Sequence, residues 1–299
     1  MDIGLVGLGR MGANMARRLA RGGARVIGFD PDASVRRSLA AEGIVDAASL
    51  HELVAGLPAP RVVWLMVPAG DVTERTIEEI APLLSLGDLL VDGGNANYHD
   101  SQRRGAMLAS RRIRFVDCGV SGGVHGLANG YTLMFGGDDQ AAAMLEPYAR
   151  MLAPAPDAGW LHCGPVGSGH FVKMIHNGIE YGMMQALAEG WELLEASEYV
   201  DNVPGAIKSW REGSVVKSWL LDLLDRALDG DPELAKLKGY AEDTGEGRWT
   251  VDEAVRLAVP LHVIAASLFT RFESRQIDSP AMKAVAALRQ QFGGHAVVG

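Results

Sequence analysis

Four polar side chains near the middle of the chain, Lys173, His176, Asn177 and Glu180, are spaced i, i+3, i+4 and i+7, which puts them on one face of an α-helix. The positions around them carry Phe171, Val172, Met174, Ile175, Ile179, Met183 and Met184. A polar stripe on an otherwise apolar helix faces either water or a pocket. A solvated stripe with weak pairing is the plainer alternative. The apolar residues nearly all round, and the Gly-rich turn 164–169 just before the helix, favour a pocket. A Lys and a Glu presented together supply a base and an acid in one site, provided burial and neighbours bring the Lys pKa toward working pH.

Another constellation stands near the start of the chain. Gly7-Leu8-Gly9-Arg10-Met11-Gly12 is a G-x-G-x-x-G turn between an apolar run and an amphipathic segment, Ala13 to Ala20. That spacing permits a tight strand-to-helix turn, a Cβ-free approach to a pyrophosphate, and close helix packing that aims backbone N–H groups at the phosphates. Asp30 ends the next apolar run, 23 residues after Gly7, where a carboxylate accepts from ribose hydroxyls and repels a 2′-phosphate. These residues predict NAD in preference to NADP, with Arg36 and Arg37 keeping some NADP use open. The other role for Asp30 is a strand-end residue capping the next helix.

The elements that must hold these residues follow from apolar patterning. Short runs at 3–6, 25–29, 62–66, 89–91 and 115–118 alternate with helical stretches, the signature of a parallel sheet covered on both faces. A further strand pair, 131–135 and 160–162, flanks a helix around 140–152. From His170 onward the segments 171–197, 218–228, 251–272 and 281–292 have helical periodicity or propensity. The expected class is α/β, a Rossmann-type doubly wound sheet over residues 1–164 followed by an all-helical substrate and dimerisation domain over 165–299.

Composition bounds the function. The 299 residues with 48% hydrophobic content allow a full core, which excludes disorder and small disulfide scaffolds. A formal charge of −9 gives no global attraction to nucleic acid or anionic membrane. Cys118 and Cys163 form no pairwise motif and fit two inert buried thiols in a reducing cytosol. The longest late apolar run, Ala258 to Phe269, contains His262 and falls short of the ~20 residues of a membrane span. No targeting segment is read, and the expected location is cytoplasmic. No metal motif stands out, and Asp222, Asp225 and Asp229 read as a solvated helix face.

Several longer motifs run beside these: Val67-Pro68-Ala69, Asp92-Gly93-Gly94-Asn95, Ser121-Gly122-Gly123, the run from Gly169 to Tyr181, Gly247-Arg248-Trp249-Thr250, Phe269-Thr270-Arg271, and the tail from Arg289 to His295. Through them the chain resembles the decarboxylating 6-phosphogluconate dehydrogenases of the β-hydroxyacid dehydrogenase group, most of all their short, NAD-preferring bacterial form. The resemblance spans nearly the whole chain. It implies a metal-independent oxidative decarboxylation in which Lys173 takes the C3 hydroxyl proton and Glu180 protonates C1 of the enediol. It implies that Asn95, Ser121, Gly122, Gly123, His176 and Asn177 hold the substrate carboxylate and hydroxyls, with Asn95 also by the nicotinamide. Tyr181, Arg271, Arg289 and His295 match phosphate-end positions, where guanidinium groups suit phosphate. Gly7 to Gly12, Asp30 and Val67 to Ala69 match cofactor positions. The tail Arg289 and His295 would reach a partner subunit's site, making a homodimer the minimum assembly.

The sequence also departs from that pattern. Long-form relatives carry a Lys and a Thr before the G-[KR]-W-T run that help bind phosphate, where this chain has Thr244 and Glu246. A carboxylate in a phosphate pocket is unfavourable, so either Glu246 turns away and Arg248 compensates, or the substrate is not phosphorylated. Two other functions stay open at this level. One is a related dehydrogenase of the 3-hydroxyisobutyrate type, acting without decarboxylation; the other is a dinucleotide-sensing protein that has lost catalysis.

Overall fold

A computed structural model describes residues 1–294, 296 and 298 and divides into two compact units, Met1–Ile175 and His176–Gly299. In the first unit strands and helices alternate as β1 (Asp2–Val6), α1 (Arg10–Arg21), β2 (Arg25–Phe29), α2 (Ala33–Ala40), β3 (Val45–Asp46), α3 (Leu50–Ala55), β4 (Val62–Leu65), α4 (Asp71–Ile80), β5 (Leu89–Asp92) and α5 (Tyr98–Ser110). They continue as β6 (Arg114–Ser121), α6 (Gly126–Asn129), β7 (Thr132–Gly136), α7 (Asp139–Leu152), β8 (Trp160–Gly164) and the long α8 (Ser168–Glu195), which runs on past Ile175.

The eight strands form one sheet in the order β3-β2-β1-β4-β5-β6-β7-β8. All neighbours are parallel except β6 and β7. The doubly wound sheet is as expected, and alternation explains why its central strands are mostly apolar. Ile3, Leu5, Val62, Trp64, Leu89 and Val91 enter one core cluster, whereas Val6, Val63, Leu65 and Leu90 enter the cluster on the opposite face. With helices on both faces, neither parity of a central strand faces water, so a polar residue there, such as Asp92 or Asp117, needs a partner inside the protein. β3 was not expected; it is two exposed residues long, too short to carry a pattern.

The second unit is helical: the remainder of α8, then α9 (Val203–Ser209), α10 (Trp219–Gly230), α11 (Glu246–Leu257), α12 (His262–Glu273) and α13 (Pro280–Gly293). Three expectations need correction. The helical pattern over 251–272 is two helices, because Ala258 adopts a left-handed cap at φ 56° and Pro260 follows it. The acidic face of α10 is not uniformly solvated: Asp225 is buried and, with Asp222, grips Arg211. Cys163 is half-buried where a fully buried thiol was expected; burial raises the pKa of both cysteines, which keeps them as thiols. Among the described residues no helix is long and apolar enough to cross a membrane.

Candidate active site

In the first unit the sequence-selected residues converge on one edge of the sheet. The turns after β1 (Gly7–Gly12), β2 (Asp30), β4 (Val67–Ala69), β5 (Gly93–Asn95) and β6 (Ser121–Gly123) all leave the carboxyl ends of mutually parallel strands. In an open α/β sheet that edge, where the strand order reverses between β1 and β4, is the ligand-binding edge. Gly7 has φ 89°, and a Cβ there would fall 2.5 Å from the Met66 carbonyl oxygen; a Cβ on Gly12 would fall 1.9 Å from the Gly7 carbonyl oxygen. Both glycines close the turn on itself. Gly9 differs, since nothing lies within 4 Å of its missing Cβ, and α1 has no side-chain cap. Room beside Gly9 and uncapped N–H donors fit a dinucleotide pyrophosphate.

Asp30 braces this turn from β2, its Oδ2 accepting from the Leu8 amide at 2.7 Å and its Oδ1 from the Asp32 amide at 2.9 Å. The cap of α2 is Asp32, which accepts from Ser34 N, so Asp30 is not the helix cap. Arg36 donates to the Asp30 carbonyl oxygen at 2.6 Å and pairs with Asp46 at 2.9 Å. Both interactions hold its guanidinium within the protein.

The loop ending in Asn95 is fixed from below. Asp92 is fully buried and accepts from Arg104 Nη1 at 2.8 Å and from the Gly94 amide at 3.1 Å. Arg104, also fully buried, reaches Glu74 with Nε and Nη2 at 2.9 and 2.7 Å. Thr73 Oγ1 donates to the Pro68 carbonyl at 2.9 Å and ties down the neighbouring Val67–Ala69 turn. At the end of β6, Gly122 takes φ 130°, which turns the chain sharply after Ser121. Lys173 is only 9% exposed and lies over β6, because Gly119 has no Cβ to occupy the space.

In the second unit a polar chain runs through the expected substrate residues. His176 Nδ1 meets Asn177 Oδ1 at 3.0 Å, and Asn177 Nδ2 donates to Glu246 Oε1 at 2.9 Å. Thr244 Oγ1 donates to the other oxygen of Glu246, which is 3% exposed. Glu180 lies 3.9 Å from His176 Nδ1. Glu246 therefore does not turn outward; its carboxylate is engaged by Asn177 and Thr244.

Arg248 is held by both oxygens of Asp243, at 2.7 and 3.0 Å, and Arg275 joins the same carboxylate at 2.9 Å. Arg271 stacks over the buried Tyr181 ring with Cζ 3.5 Å from its centroid, and the Tyr181 hydroxyl accepts from the Thr244 amide. The two arginines pull the Asp243 carboxyl down to about 2. A depressed folded-state pKa gives stability that is present above the ordinary value near 4 and lost as pH falls toward 2. Acid melts of Asp243→Asn are thus expected to fall less steeply between pH ~4 and ~2 than those of the wild type; parallel curves would remove this pair from the account.

Sequence reasoning missed Asp117, Gly119, His170, Asp243 and Arg275. The spacing Asp117-x-Gly119-x-Ser121 was legible as one face of a strand; His170 and Arg275 have partners distant in sequence, and Asp243, though five residues from Arg248, stands outside any regular element that would pair the two. Arg289 lies on the exposed α13, and His295 lies outside the described residues.

The family described as the NAD binding domain of 6-phosphogluconate dehydrogenase matches residues 2–157, and the 6-phosphogluconate dehydrogenase C-terminal domain matches 169–295. The chain is 42% identical over 296 residues to a Bacillus subtilis protein provisionally named a 6-phosphogluconate dehydrogenase, covering 99% of each. It is 39% identical over 298 residues to the NAD-dependent, decarboxylating 6-phosphogluconate dehydrogenase of Haloferax volcanii, covering 99% of this chain and 98% of that one. Among solved structures, 6-phosphogluconate dehydrogenase of Plasmodium falciparum, studied with its cofactor NADP+ and its substrate 6-phosphogluconate, superposes with TM-score 0.85 at 26% identity. That match covers 100% of this chain and 66% of the Plasmodium chain. A 3-hydroxyisobutyrate dehydrogenase of Mycobacterium tuberculosis superposes with TM-score 0.72 at 24% identity, covering 96% and 99% of the two chains, a likeness of fold alone.

Proposed function

The chain belongs to the 6-phosphogluconate dehydrogenase family, and from that premise we propose that it oxidises and decarboxylates 6-phospho-D-gluconate with NAD, without a metal, as a step of the pentose phosphate pathway. The products are D-ribulose 5-phosphate, CO2 and NADH. The observation that carries this reading is the buried Lys173, seated over the strand that ends in Ser121-Gly122-Gly123.

Gly7 to Gly12, with Asp30 and Val67 to Ala69, would hold the dinucleotide, which would supply the hydride acceptor for oxidation at C3. Lys173 removes the C3 hydroxyl proton, which drives that oxidation. Asn95 and the Ser121–Gly123 turn orient the carboxylate and hydroxyls, and the 3-keto acid formed loses CO2. Glu180 then delivers a proton to C1 of the enediol. Asn177, its amide fixed by Glu246, and His176 bind hydroxyls, and Arg271 on Tyr181 binds the phosphate.

Preference for NAD rests on Asp30 and on the engagement of Arg36 by Asp46. Asp30→Ala is expected to narrow the NAD over NADP ratio of kcat/KM by about ten- to a hundredfold, the size of one hydrogen bond to a charged group; an unchanged ratio would count against the ribose contact. A homodimer or higher homo-oligomer is supported by α13, which buries no residue within the chain while Met282, Val285, Leu288 and Phe292 stand exposed along it. From that helix Arg289 reaches a partner's site.

An unphosphorylated acid is the competing substrate class, favoured by the buried Glu246 carboxylate beside Thr244. The decisive assay follows NADH and CO2 from 6-phosphogluconate, gluconate and 3-hydroxyisobutyrate with chelator present. NADH and CO2 in equal amounts from 6-phosphogluconate alone is the expected result. NADH without CO2 from every acid overturns the decarboxylase reading, and NADH binding without any turnover identifies a dinucleotide sensor.

A further inference from the structure

Asp117, Gly119 and Ser121 occupy alternate positions of β6 and so share one face of the strand. Asp117 is fully buried, and its two oxygens accept from the backbone N–H groups of Gly167, at 2.6 Å, and His170, at 2.7 Å. These are donors at the start of α8 that the helix itself leaves without partners. Gly169 is drawn in so closely that a Cβ would lie 2.4 Å from the Asp117 carbonyl oxygen. The His170 ring, 1% exposed, hydrogen-bonds Ser101 Oγ of α5 through Nδ1 at 2.7 Å. One turn along α8, a Cβ on Gly119 would lie 2.3 Å from Lys173 Cβ. Helix α8 is thereby docked on the same strand that ends in the Ser121 turn, and on the helix that follows the Asn95 loop.

We propose that Asp117 is a positioning residue for Lys173, clamping the first turn of α8 so that the amine is held at a fixed height above the Ser121–Gly123 turn. The inference deepens the proposed function and rests on Lys173 being the base. A buried carboxylate is costly unless its lone pairs are filled, and burial pushes the Asp117 carboxyl above its ordinary value against the opposing pull of His170 and the amides. Here both oxygens are filled by the helix that carries the base. Charge-assisted bonds to amides are roughly twice as strong as neutral ones, so sliding α8 along β6 breaks two strong bonds together. The Ser101–His170 bond opposes rotation of the same turn from the α5 side. A displacement of about 1 Å at a reacting group lowers rate by around a hundredfold, which sets the scale of the effect.

The test is Asp117→Asn, which keeps the shape but turns an N–H donor toward another donor. Sites are counted by NADH fluorescence titration, and NADH formation in the first turnover of 6-phosphogluconate is followed by rapid mixing. The rate per NADH-binding site is expected to fall about ten- to a hundredfold, with KM for NAD within about twofold. A purely structural role lowers the number of sites and leaves the rate per site unchanged, and that result overturns the proposal. Ser101→Ala, which leaves Asp117 intact, is expected to show the same signature at a few-fold; if Asp117→Asn binds no NADH, Ser101→Ala decides by the same criterion. Lys173→Met is run in parallel. Full activity there removes the base assignment itself, whereas an inactive Lys173→Met beside a wild-type rate in Asp117→Asn removes the positioning role alone.

Discussion

Lys173→Met is expected to lower turnover of 6-phosphogluconate by about 10²–10⁴-fold, the range a general base contributes, while NADH still binds. Methionine keeps an unbranched stem of similar length, so the packing over Gly119 and the docking of α8 survive and only the amine is lost. The glycine turn proposed to hold the dinucleotide follows β1 and is closed against its own backbone and Met66, so its geometry does not depend on that amine. Steady-state NADH formation and fluorescence titration of NADH check the two halves separately. A variant that keeps more than about a tenth of the rate would mean that another group removes the proton.

Arg104→Met is expected to destabilise the protein by about 3–5 kcal/mol, the usual cost of removing one partner of a buried ion pair. The guanidinium is fully buried between Asp92 and Glu74, and without it the buried Asp92 carboxylate loses its opposite charge and is left with neutral donors such as the Gly94 amide. The charge left behind, more than the bond itself, sets the magnitude. Urea unfolding with an unchanged slope measures it. Removing both charges, as Asp92→Asn with Arg104→Met, should recover part of the loss, and a double variant as unstable as the sum of the singles would contradict the pairing. Because this ion pair holds the loop after β5, the single variant should also raise KM for the acid at temperatures where it stays folded.

The central strands of the sheet were legible because burial on both faces makes each a short, mostly apolar run, a signal that survives without knowledge of neighbours. The break at Ala258 and Pro260 was legible in principle, yet the helical pattern on either side masked it. Arg211 could not be matched to Asp225 from sequence, since a buried ion pair depends on which helices meet. The same holds for Glu246: the sequence posed a carboxylate near a phosphate end, and the structure shows it accepting from Asn177 and Thr244.

By itself the sequence determined the doubly wound sheet, the dinucleotide turn and the identity of the candidate acid and base, because periodicity and glycine spacing are local properties of the chain. Only the tertiary structure decided what holds them. Asp117 and the start of α8 are 50 residues or more apart, as Gly167 and His170 show, and Thr244 and Glu246 lie far along the chain from Tyr181 and Asn177. Such partners are chosen by packing, where a missing Cβ at Gly119 or a buried carboxylate at Asp117 has meaning only once the helix above it is in place.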